Sequence, residues 1–435
     1  MKAAFYLDNS KIGNADLRYP EKGNPGVGGT QYLFVATPFY IKNLSSIEIE
    51  VTIYAHHIDK LPDSLNVDKV DNIEEALDSA IEKEYDFFVF RPTSEHKNGS
   101  FFQKLGSAVN LKAIAWAHNT PDIFTLNKLY KNKNLSCFLC VSQEQYDRLR
   151  DHPIIYKSHR IFNGFDITDY KPKNKIAKNS NTVAYIGSLV PTKGFHWLAQ
   201  AWPNVLKKKP NAKLIVMGTG KLYDDSAKLG KWGVAEEGYE GKYIRPYLSN
   251  KEGEPHPSVD FKGLVGVEKI EIMQHVDVGV INPSGKSENC PGSALEFQAA
   301  GTPVVSSAKK GILDTVLHNH TGLLGKNIRD LSDNIIKLLS TSDLAYRYGC
   351  NAINFVDDKF NWEKIIGEWD HLFNILKNGN KIDISAIENF KYNDLKILRE
   401  KLRVAKKYTG LKNYINPSIH SLSGYIKYYK KNLVK

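Results

Sequence analysis

Asn282-Pro283-Ser284-Gly285-Lys286-Ser287-Glu288-Asn289-Cys290-Pro291-Gly292-Ser293-Ala294-Leu295-Glu296 is the stretch on which the reading of this 435-residue chain turns. It follows an apolar run, 276–281, and leads through an apolar helix into Ala299-Ala300-Gly301-Thr302-Pro303-Val304-Val305. Strand, polar loop, helix and second strand in that order belong to a parallel sheet covered on both faces. Taken locally, Ser293-x-x-Glu296 before apolar residues fits a helix capping box, and Glu288 fits a solvated loop carboxylate. Taken together, two carboxylates eight positions apart at the mouth of a parallel sheet suit the gripping of sugar hydroxyls. A carboxylate accepts two hydrogen bonds at once from a vicinal diol.

The same pattern extends in both directions. Segments 182–186, 213–217, 259–261 and 302–306 are short, apolar and rich in β-branched residues, with helices between them. Upstream, 3–7, 47–54, 85–90, 113–117 and 137–142 read the same way, and 73–83 carries Ile73, Ala76, Leu77, Ala80 and Ile81 at helical spacing. Between the halves, 166–181 has almost no apolar content and reads as a linker. The fold class is therefore α/β, with two tandem Rossmann-like doubly wound parallel-sheet domains. Ligands of such sheets bind at the carboxyl ends of the strands, and with two lobes the cleft between them is the expected site.

Other motifs are tested against their simpler readings. Gly23-Asn24-Pro25-Gly26-Val27-Gly28-Gly29-Thr30 superficially fits a Walker phosphate loop, but Gly29 stands where the lysine must be, which excludes a nucleoside triphosphatase. Gly28 and Gly29 can still bring bare backbone N–H groups against an anion. Cys137 and Cys140 form a C-x-x-C inside a strand-like run, where side chains three apart face opposite ways, so they read as core cysteines. Gly187-Ser188-Leu189-Val190-Pro191-Thr192-Lys193-Gly194 follows a strand and opens a helix, placing a lysine where it can reach a bound phosphate.

Glu288-x₇-Glu296 followed by Gly301-Thr302-Pro303-Val304-Val305 resembles the signature of the GT-B fold glycosyltransferases, specifically the retaining group called family 4. Gly187 with Lys193-Gly194, Leu214 to Gly220, Val259 to Gly263, Asn163-Gly164-Phe165-Asp166, Thr321 to Leu324 and Phe360-Asn361-Trp362 agree with it in order and spacing. The resemblance implies an N-terminal acceptor-side domain, 1–165, the linker 166–181, and a nucleotide-sugar donor domain, 182–355. It further implies a helix, 356–376, returning to the first lobe, with a basic amphipathic tail, 377–435, after it. It implies that Glu296 holds the ribose hydroxyls of a nucleotide and that Glu288 touches the donor sugar. Asn289, Cys290, Pro291, Gly292 and Ser293 would line the donor site beside Gly187 and Ser188. Lys193 would neutralise the departing diphosphate, Gly28 and Gly29 would close over it, and His118 would meet the donor sugar. For His118 the local alternative is a strand-end histidine capping a helix. Ser188 departs from the pattern, since the family usually has an arginine there; Lys286 or Arg245 would be the compensating cations. The stretch 221–258 is longer than the family needs.

The reaction implied is transfer of a sugar from a nucleotide diphosphate sugar to an acceptor hydroxyl, with retention and without a metal or other cofactor. Cell-surface polysaccharide, lipopolysaccharide or glycolipid synthesis is the implied setting, with a glycan or lipid-linked acceptor. Two rivals share the architecture: a nucleotide-sugar epimerase, and a catalytically weak binding subunit motivated by Ser188.

Composition adds location. The net charge is +11, with 42% hydrophobic and 25% charged residues, as expected of a globular protein. From Leu376 onward there are 14 Lys/Arg against 4 Asp/Glu, which leaves the preceding chain nearly neutral at 45 against 44. Leu395, Leu398, Leu402 and Ala405 form one helical stripe, with Lys396, Arg399, Arg403, Lys406 and Lys407 beside it. Such an end reads as an anchor on an anionic membrane surface. A helix packed on the first lobe and a homodimer contact are the alternatives. No nucleic-acid-reading module is recognised. Four cysteines, none paired at recognisable disulfide spacing, and the lack of a signal-like start lead us to expect a cytoplasmic protein, peripheral on the inner face of the plasma membrane.

Overall fold

A computed structural model describes residues 1–93, 100–174, 178, 180–221, 228–286 and 288–383, with 401, 404 and 405. The chain divides into two compact units: Met1–Asn163 with the segment beginning at Trp362, and Gly164–Asn361.

The first unit holds β1 (Lys2–Leu7), β2 (Glu50–Ala55), β3 (Asn66–Lys69), β4 (Phe87–Phe90), β5 (Lys112–Ala117), β6 (Leu135–Cys140) and β7 (Ser158–Arg160). They form one parallel sheet of seven strands in the order β3-β2-β1-β4-β5-β6-β7. The second unit holds β8 (Thr182–Ile186), β9 (Lys213–Met217), β10 (Val259–Gly263), β11 (Val278–Val280), β12 (Val304–Ser307) and β13 (Gly322–Gly325). These are parallel in the order β10-β9-β8-β11-β12-β13. Each sheet is doubly wound and reverses its strand order once, at β1/β4 and at β8/β11. The helix Ile73–Glu82 shows how the sequence builds the outer layers. Asn72 caps it by accepting from the N–H groups of Glu74 and Glu75, and Ile73, Ala76, Leu77 and Ala80 turn to the sheet.

Three strands escape the apolar pattern. Asn66-Val67-Asp68-Lys69 and Ser158-His159-Arg160 are edge strands, too polar and too short to register as runs. Residues 322–325 carry two glycines, which weaken a strand signal, although the sheet pairs them with β12. Cys137 and Cys140 are both buried in β6, and burial pushes both thiols up, as befits packing residues.

The helix Trp362–Lys377 belongs to the first unit. Its Trp369 ring lies 5.2 Å from Trp116 and 6.0 Å from Phe5, and Phe373 lies 4.9 Å from Phe87. Asp370 fixes its register, accepting from Ser45 Oγ, Ser46 N and Ser46 Oγ at 2.7–2.9 Å. The apolar stripe and basic face read between 395 and 407 lie outside the described residues, apart from Ala405. Among the described residues no helix is long and apolar enough to cross a membrane.

The segment 166–181 is more than a tether. Ile167 and Tyr170 are buried in the second unit. The Lys178 ammonium is enclosed, donating to Gln274 O, Val276 O and Thr302 Oγ1 at 2.8–2.9 Å. Burial pushes its pKa down to about 8.

Candidate functional site

The second unit gathers its chemistry where β8 and β11 part. Gly187 and Gly218 end β8 and β9 with φ of +152° and +151°, and a Cβ on Gly218 would stand 2.0 Å from Gly187 O. Only glycine lets these strand ends pass so closely. Ser188 follows, buried, its hydroxyl donating to Thr219 O at 3.1 Å. It is a packing contact and supplies no charge in place of an arginine. Lys286 is exposed, and Arg245 opens a short helix, Arg245–Leu248, of the 221–258 stretch.

The loop then turns through Pro191–Lys193 and Gly194, which has φ +71°, into the helix Phe195–Lys208. A Cβ on Gly194 would meet Ser284 N at 2.7 Å, so the two loops touch backbone to side chain. This closeness brings Lys193 Nζ to 2.5 Å from Glu288 Oε1. Asn282 Nδ2 donates to the same oxygen at 3.0 Å and to Thr192 O at 3.3 Å. Asn282 is buried with φ +26°, and its Oδ1 accepts from Gly285 N and Ser284 Oγ. A left-handed asparagine thus pins the loop that presents Glu288.

The helix Gly292–Ala299 starts at Pro291, with no side-chain cap. The capping-box expectation is corrected: Ser293 sits inside the first turn rather than before it, so Glu296 has no cap to close. Glu296 turns instead into a buried cluster. Its Oε1 accepts from Lys269 Nζ at 2.7 Å and from Tyr170 OH at 3.0 Å. Lys269 opens the helix Lys269–His275, and Tyr170 comes from the supposed linker. Sequence reasoning missed Asn282, Lys269 and Tyr170. Lys269 has no motif around it, whereas a lone aromatic in a polar run was the available signal for Tyr170. Gly292 faces open space, with nothing within 4 Å of where its Cβ would lie, and Asn289 and Cys290 are half-buried beside it. Ser287 lies outside the described residues.

In the first unit, Gly28 precedes and Gly29 opens the helix Gly29–Leu44. Asn24 Oδ1 accepts from Gly26 N and Val27 N, both at 2.9 Å, and fixes the loop in front of it. Gly29 faces open space. His118 follows β5, buried, with its ring 4.5 Å from Trp116 and 5.9 Å from Phe34. Burial, reinforced by the Arg91 charge, pushes its pKa down to about 3. The helix after His118, Ile123–Lys131, is capped by Asp122, which accepts from Thr125 N at 2.8 Å. Arg91 also lines a cavity of about 270 Å³ with Tyr6, Asp8, His56, Asp71 and Asn72 at the β1/β4 reversal.

Within 221–258 the described residues organise around Glu240, which is fully buried and accepts from the N–H groups of Trp232, Val234 and Ala235. Trp232 and Phe261, 6.0 Å apart, line a second cavity of about 430 Å³ beside β10. Among the described residues no group of three or more His, Cys, Asp or Glu is arranged to hold a metal ion.

Doubly wound sheets take ligands at the strand-order reversal, and here that point carries a lysine-held carboxylate and a helix start. Residues 166–355, somewhat under half of the chain, match the family described as glycosyl transferases group 1, and the fold is GT-B. An uncharacterized glycosyltransferase of Methanocaldococcus jannaschii is 28% identical over 54% of this chain and 55% of its own. A GDP-mannose-dependent alpha-(1-6)-phosphatidylinositol monomannoside mannosyltransferase of Mycobacterium tuberculosis is 28% identical over 42% of this chain and 45% of its own. The chain thus spans about half the length of these curated relatives. Among solved structures, sucrose-phosphate synthase from Thermosynechococcus elongatus superposes with a TM-score of 0.62 at 19% identity. It covers 87% of this chain and all of the other. At that identity the likeness is one of fold.

Proposed function

We propose that the protein transfers a sugar from a nucleotide diphosphate sugar to an acceptor hydroxyl, with retention at the anomeric carbon, in surface glycan or glycolipid synthesis. The observation that carries this reading is the pairing of both glutamates of Glu288-x₇-Glu296 with lysines, at the strand-order reversal of a group 1 lobe. The mannosyltransferase relative, named for a GDP-mannose donor and a lipid acceptor, supports the reaction class.

Glu296 takes the ribose hydroxyls, and Glu288 takes hydroxyls of the donor sugar. Lys193 exchanges its contact with Glu288 for the diphosphate, whose charge grows as the glycosidic bond breaks. Stabilising that charge is the main catalytic work, shared with N–H groups at the start of the helix Gly292–Ala299. Gly28 and Gly29 offer N–H groups to phosphate. His118, neutral at working pH, hydrogen-bonds to the donor sugar rather than exchanging protons with it. We assign no general base, because the leaving phosphate itself can take the acceptor proton. On this reading no metal is required, and turnover survives exhaustive chelation.

The test is incubation with uridine, guanosine and thymidine diphosphate sugars plus acceptor extracts, reading nucleotide release and product. Turnover lost on Glu296→Ala supports the assignment, and unchanged turnover and donor affinity contradict it. Ser188 favours a second reading, a nucleotide-sugar-binding subunit without turnover. That reading is supported if nucleotide binds without turnover both in wild type and in Ser188→Arg. The basic end, 377–435, is proposed to rest on anionic lipid at the inner face of the plasma membrane. Deleting 377–435 then abolishes sedimentation with phosphatidylserine liposomes, and unchanged sedimentation contradicts it.

A further inference from the structure

One oxygen of Glu296 serves two donors. Lys269 Nζ and Tyr170 OH both reach Oε1, and the Lys269 and Glu296 side chains are only 12% and 11% exposed. An exposed pair of this kind contributes little and informs little. This one is sheltered, and it links the helix Lys269–His275 to the helix that carries Glu296.

Resting on the reading of Glu296 as the ribose-holding carboxylate, we infer that Lys269 is a specificity determinant. It selects nucleoside diphosphates with an intact ribose diol over their 2′-deoxy counterparts. Oε1 already accepts from two donors, so an arriving diol is directed to Oε2. A hydroxyl at that carboxylate donates its proton to Glu296, and its own lone pairs are left facing the ammonium beside it. The pair therefore reads a hydroxyl as donor and acceptor together. A 2′-deoxyribose breaks the diol and satisfies neither demand fully.

Towards a neutral ribose hydroxyl, the bond from the Lys269 ammonium is charge-assisted and about twice as strong as one from the neutral Tyr170 hydroxyl. Sites built around a substrate hydroxyl reject its deoxy analogue by up to ~10⁴–10⁵ where their polar groups are left unpaired. Lys269 and Glu296 satisfy each other without a ligand, so the rejection here is smaller, about tenfold to a hundredfold.

The experiment is calorimetric titration of the full chain with uridine, guanosine and adenosine diphosphates and the 2′-deoxy form of each. Wild type is compared with Lys269→Met, Lys269→Arg and Tyr170→Phe. Wild type is expected to prefer the ribo form by about tenfold or more. Lys269→Met should lose most of that preference by weakening the ribo form selectively, while Lys269→Arg and Tyr170→Phe keep it. Equal wild-type affinity for ribo and deoxy forms overturns the inference without any variant, as does an unchanged ratio in Lys269→Met. In both cases the donor site stands. Should no nucleoside diphosphate bind to wild type, the donor-site reading itself fails and the inference with it.

Discussion

The Lys193 ammonium lies 2.5 Å from Glu288 Oε1, across the point where the strand order of its sheet reverses. The two residues are 95 positions apart and come from different loops. Asn282 donates to the same carboxylate oxygen at 3.0 Å, so Glu288 keeps a partner when the lysine turns to an arriving anion. That exchange is the core of the proposed reaction.

Lys193→Met should therefore lower kcat by about 10²–10³, the usual cost of removing one preorganised charge-stabilising donor. Lys193→Arg should recover part of the loss. Steady-state nucleotide release checks both, and an unchanged kcat in the methionine variant would remove Lys193 from the mechanism.

His118 gives a pH prediction. Its folded pKa is pushed from 6.5 down to about 3, so the folded protein binds fewer protons than the unfolded chain between those values. The neutral histidine thus contributes stability that is complete above pH 6.5 and is lost as pH falls toward 3. Denaturant titrations should show His118→Gln less acid-sensitive than wild type over that window. The imidazole should also show no NMR titration between pH 5 and 8; a midpoint near 6.5 would contradict this.

Trp369 anchors the last described helix against Trp116 and Phe5. Trp369→Ala should destabilise the first unit by about 3–5 kcal/mol through the cavity it leaves. Denaturant unfolding measures it, and a loss below 1 kcal/mol would mean that this packing contributes little.

Glu240 organises the segment that the sequence left without an account. Removing its carboxylate strands three N–H groups, at about 1–3 kcal/mol for each buried group left unpaired. Glu240→Leu should make residues 229–236 the first site of limited proteolysis. Cleavage elsewhere at the wild-type rate would show that other contacts hold the segment.

The legible parts of the molecule share a physical reason. Strands buried on both faces, such as 182–186 and 213–217, are continuous apolar runs, and their bounds read directly. Asn66–Lys69 and Ser158–Arg160 are edge strands defined by backbone pairing, which their polar side chains do not advertise. Lys193, Glu288 and Glu296 stand out through motif spacing. Lys269 and Tyr170 meet Glu296 only through tertiary packing, across 27 and 126 positions. Glu296 also shows how a local rule fails, since its capping-box reading needed a helix starting two residues later than it does.

The most direct test of the donor site is a crystal structure of the protein with the nucleoside diphosphate that binds it. The account predicts ribose hydroxyls on Glu296 and the diphosphate on Lys193, with the Lys193–Glu288 pair opened. A nucleotide bound elsewhere, or bound with that pair intact and the phosphates away from Lys193, would contradict it.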